Sequence, residues 1–93
     1  MDLSVNDFGD YLANFCKGNT VVAYTLAARR FLEMHEGVAA VEPDSLVRYV
    51  AACKSAELGP ATVALHMAGL RHLLDFARMR GVFVPAAADM APL

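Results

Sequence analysis

Gly59-Pro60-Ala61-Thr62-Val63-Ala64-Leu65-His66-Met67-Ala68-Gly69-Leu70-Arg71-His72-Leu73-Leu74-Asp75-Phe76-Ala77-Arg78-Met79-Arg80-Gly81 is the stretch that decides the fold. It opens with Gly-Pro, a helix-start signal, and closes on a glycine, a helix-stop signal. Between them Val63, Met67, Leu70, Leu74 and Ala77 recur at three- and four-residue spacing, so they share one stripe of an α-helix. A stripe that apolar is unstable in water alone. The rest of the chain must supply the surface that covers it.

Working outward, Gly18 separates two further helical patterns. Before it, Ser4 and Asp7 form a weak relative of the capping box, Leu3 and Phe8 fall at staple positions, and Phe8, Tyr11, Leu12 and Phe15 predict one buried face of a helix ending near Cys16. After it, a helix is predicted from Asn19 or Thr20 to about Glu36, stopped by Gly37. Its core stripe reads Val21, Tyr24, Ala28, Phe31, Leu32 and His35. Its opposite side carries Val22, Leu26, Arg29, Glu33 and Glu36, so two aliphatic residues open an otherwise charged face.

Val38–Val41 is a short apolar connector to Glu42-Pro43-Asp44-Ser45, where proline and acids suit a helix start. The predicted third helix turns Leu46, Val50 and Cys53 to one side, with Val47 and Tyr49 flanking and Arg48 and Lys54 toward solvent, and closes at Leu58-Gly59. Beyond Gly81, two prolines and a small-residue run predict an extended tail. No strand-like alternation of useful length is present. The expected fold class is all-α: a single four-helix orthogonal bundle over residues 1–84, followed by a linker over 85–93.

Composition is consistent with that. A chain of 93 residues has room for one core, and 57% hydrophobic against 19% charged residues excludes wholesale disorder. Cys16 and Cys53 lack any ligand-like spacing, so they read as thiols in a reducing, cytoplasmic setting rather than a metal or disulfide site. No apolar run is long enough to span a membrane, so no membrane partner is expected. The net charge of −2 offers no global attraction for nucleic acid, and any such binding must be local.

Catalytic constellations are missing. There is no phosphate loop, HExxH or nucleophile elbow. His66 and His72 lie six apart, out of alignment on a helix, and are not a metal pair; His35 reads as a core histidine, and Asp7 and Asp10 as helix-stabilising surface acids. No cofactor is expected, and the isolated chain reads as a binding module rather than an enzyme.

One local echo remains. Thr20-Val21 and Thr62-Val63 both place Thr-Val in a helical first turn, beside backbone N–H groups suited to a phosphate oxygen. With Tyr24, Phe31 and Leu32 behind the first, and Gly59-Pro60-Ala61-Thr62, Leu65, Leu70-Arg71, Phe76 and Gly81 around the second, the chain resembles the N-terminal core-binding, SAM-like domain of tyrosine recombinases, the phage-integrase family. The resemblance runs from about Phe8 to Pro85.

It implies a DNA-binding module that clamps a recombination half-site with the starts of the second and fourth helices, opposite a C-terminal catalytic domain of the same protein and beside further recombinase protomers. By position it transfers DNA contact to Thr20, Val22 and Ala23 and to Thr62, Ala64, Leu65 and His66, with Lys17, Arg29, Arg30 and Arg71 added as candidate phosphate contacts. The family's Arg-His-Arg set and tyrosine nucleophile belong to that separate domain; Tyr11, Tyr24 and Tyr49 are none of them the nucleophile. Where family members commonly carry Arg, Lys or Gln, this chain has Val22, Thr25, Ala64 and Leu65, so the expected affinity is weak and steeply salt-sensitive. The alternative is a small helical protein–protein or self-association module docking through Val22 and Leu26.

Overall fold

In a computed structural model of the chain, residues 5–34 and 42–81 are described. They form four helices and no strand: α1 (Val5–Leu12), α2 (Gly18–Met34), α3 (Ser45–Ser55) and α4 (Pro60–Met79). The Ser4 cap, His35, Gly37, the 38–41 connector and the 85–93 linker lie outside the described residues.

α4 is the central element. Pro60 occupies its first turn behind Gly59, whose extended backbone (φ −69°, ψ 161°) makes it the N-cap, and Gly81 ends it at φ +79°, a left-handed conformation that favours glycine. Its predicted stripe is buried except for half-buried Val63, and the buried face is wider than the stripe: His66, Gly69, Leu73 and Phe76 also lie inside. α2 packs most extensively against it, contributing Ala27, Ala28 and Phe31. α1 adds Phe8 and Leu12, with the Phe8 and Tyr11 rings 5.6 and 4.9 Å from that of Phe76.

Two sequence expectations change here. α1 ends at Leu12, not near Cys16, because the Asn14 side-chain amide donates to the carbonyls of Asp10 (3.3 Å) and Tyr11 (3.1 Å) and terminates the turn. Phe15 consequently leaves the predicted buried face and is 53% exposed, its ring centroid 5.2 and 5.3 Å from those of Tyr11 and His72. Tyr49, expected at the flank of α3, is buried with Leu46 and Cys53.

α3 is held at its start by Ser45, whose Oγ accepts from the Glu42 N–H (2.8 Å) and from Arg48 Nη2 (3.2 Å). Arg48 also bridges Glu42 and Asp44 at 3.7 and 3.4 Å. At its end the Leu58 N–H donates to Cys53 O and the Glu57 N–H to Lys54 O, the two bonds of a Schellman motif, which forces Glu57 to φ +61°.

Candidate nucleic-acid interface

The sequence echo places Thr20 in the first turn of α2 and Thr62 in the first turn of α4, and the packing of the two helices sets how those turns are presented. Tyr24 meets Gly69 and its ring lies tilted 5.6 Å from that of His72, whereas Arg30, six residues further on, acts electrostatically on His66. The helices therefore pass each other in opposite senses. Thr20 stands four residues before Tyr24 and Thr62 seven before Gly69, so the two first turns lie on opposite sides of the helix crossing. Thr20 is half-buried and Thr62 exposed.

The aliphatic candidates do face solvent. Val22 is 67% and Leu65 40% exposed, with Leu26 close behind at 38%. Ala64 is exposed and Ala23 half-buried.

Cations divide into two groups by what neutralises them. Arg48 is tied to Glu42 and Asp44, and Arg80 to Asp7 at 3.2 Å while its guanidinium sits 5.2 Å over the Phe76 ring. Lys17, Arg29, Arg30 and Arg71 are exposed and form no ion pair among the described residues. Charge without a local carboxylate is what a phosphate needs to find. These four do not form a single patch. Arg29 borders the groove between α1 and α2 beside Asp10, Arg30 borders the α2–α3 side next to Tyr49, and Arg71 borders α3 and α4. Lys54 joins Arg71 there; its place in the last turn of α3 is the sequence signal for it.

His66 is a correction. It is 4% exposed, and its Nδ1 shares a 2.9 Å hydrogen bond with the Tyr49 hydroxyl, so it belongs to the core and not to a surface that DNA can reach. Burial, and then the nearby Arg30 charge, lower its pKa, while burial, with Cys53 beside it, pushes Tyr49 up to about 12. Both groups are thus neutral at physiological pH. Spacing alone cannot reveal this, because the partner is seventeen residues away on another helix.

Among the described residues no cluster of three His, Cys, Asp or Glu is arranged to hold a metal ion, and no helix is long and apolar enough to cross a membrane. The chain matches the family model for the N-terminal SAM-like domain of phage integrase over residues 5–81. It belongs to this family. The match spans all four helices and agrees with the all-α fold of the integrase SAM-like domain. No curated protein and no solved structure matches the chain.

Proposed function

We propose that this phage-integrase SAM-like domain binds duplex DNA as the non-catalytic part of a tyrosine recombinase, with the first turns of α2 and α4 bordering the major groove. Family membership supports the reading, and the observation that carries it is the set of exposed cations Lys17, Arg29, Arg30 and Arg71, which form no ion pair among the described residues of a chain whose net charge is negative. The two first turns lie on opposite sides of the α2–α4 crossing and not beside one another. The two turns therefore suit opposite edges of the groove, Thr20 with Lys17 on one and Thr62 with Arg71 on the other.

On this reading the base edges meet Val22, Ala23, Ala64 and Leu65. Their side chains offer no hydrogen bonds but fit thymine methyl groups, so sequence preference is modest and backbone contact dominates. The strand-cleaving Arg-His-Arg-Tyr machinery, further protomers and the catalytic domain are partners supplied by the rest of the recombinase.

Fluorescence anisotropy with a labelled duplex at low salt tests the reading. Three to four neutralised phosphates give a log–log salt slope of about −3 to −4. Affinity no greater than that of a control protein of equal net charge would overturn it.

A further inference from the structure

α3 and α4 diverge from the Leu58-Gly59 turn and leave between them a groove of about 490 Å³. Its floor is aliphatic, formed by Val50, Leu58, Val63 and Met67. Lys54 and Arg71 stand at its rim, and no carboxylate of the described residues lines it. Neither cation is paired among the described residues.

We infer that this groove is a docking site for an acidic amphipathic helix of a partner protein, one that presents aliphatic anchors a turn apart with carboxylates beside them. The volume holds about three aliphatic side chains, which is the scale of helix-in-groove recognition. An aliphatic floor gains nothing from a hydrated phosphate backbone, and DNA uses the cations alone; only a ligand with apolar anchors uses floor and rim together. A second copy of this chain is a poor occupant. Its one exposed aliphatic pair a turn apart on α2, Val22 and Leu26, runs into Arg29 and Arg30, which would meet Lys54 and Arg71 with like charge. The outward acids of α1, Asp7 and Asp10, come without exposed aliphatic anchors.

The test is NMR titration of the isotope-labelled domain with a short acetylated alanine-based helical peptide carrying leucines one turn apart flanked by glutamates, against the same peptide with lysines in place of the glutamates. The expected result is saturable shifts of the Val50, Val63 and Met67 methyl signals, with the lysine peptide at least about tenfold weaker. Lys54→Glu, an exposed position on the groove rim, reverses that preference. Equal binding of the two peptides, shifts centred on Val22 and Leu26 instead, or self-association through the groove residues would each overturn the proposal.

Discussion

Gly69 of α4 lies directly against Tyr24 of α2: a Cβ at Gly69 would stand 2.8 Å from Tyr24 Cδ1 and 3.0 Å from its Cα. The ring can rotate away but the backbone cannot, so the two central helices would have to separate. Gly69→Ala is expected to lower stability by about 1–2 kcal/mol, an overpacking penalty only partly offset by the better helix propensity of alanine. Gly9→Ala is the contrast. In α1 the added methyl meets only Thr25 Cγ2 at 3.5 Å, an ordinary contact, and should stabilise by about 0.5–1 kcal/mol. Urea unfolding of the two variants checks the opposite signs.

The Tyr49–His66 pair predicts acid sensitivity. The folded-state pKa of His66 is lowered, so between that value and the unfolded reference of about 6.5 the unfolded chain binds more protons than the folded one. The contribution of neutral His66 to stability is thus fully present above about pH 6.5 and is lost as pH falls from there through the folded pKa. Unfolding free energies measured across that window should decline in the native protein and decline less in His66→Gln. Tyr49→Phe leaves the buried Nδ1 without its partner and should destabilise by about 1–2 kcal/mol at neutral pH.

At the end of α3, Glu57 occupies the left-handed position of a Schellman motif that glycine adopts without strain. Its side chain is exposed. Glu57→Gly should raise stability by about 0.5–1 kcal/mol, seen as a rise in Tm of a few degrees by circular dichroism.

For DNA, the division between paired and unpaired cations makes the prediction specific. Arg30→Ala or Arg71→Ala should weaken duplex binding and reduce the salt slope by about one each, because each removes a charge that forms no ion pair among the described residues. Arg48→Ala should leave binding unchanged within about twofold, since Glu42 and Asp44 already neutralise that charge. Thr62→Glu places a carboxylate in the first turn of α4 and should repel phosphate while the fold, monitored by circular dichroism, is retained. Equal losses for Arg48→Ala and Arg71→Ala would show that binding is non-specific electrostatics of the whole surface.

The helices were legible because each carries its own punctuation and period. Gly59-Pro60 and Gly81 bound α4, the break expected at Gly18 falls just before it because Gly18 is already the first residue of α2, and the repeating apolar positions mark the faces. The early end of α1 was not, since it depends on Asn14 turning its amide back onto the helix carbonyls rather than outward. In the candidate interface, Val22 stayed on the surface as its helical phase predicted; of the residues assigned by resemblance, Leu65 is exposed and His66 is buried.

The sequence by itself determined the all-α class, the core stripe of α4 and the family, because these rest on local propensity and on the order of residues along the chain. Tertiary structure alone decided which groups survive as free surface. Whether a histidine is sealed under a tyrosine seventeen residues away, whether Arg80 is taken up by Asp7, and whether α3 and α4 diverge enough to leave an aliphatic groove are outcomes of helix crossing and side-chain reach. Those distances are set in space, and periodicity along a chain carries no record of them.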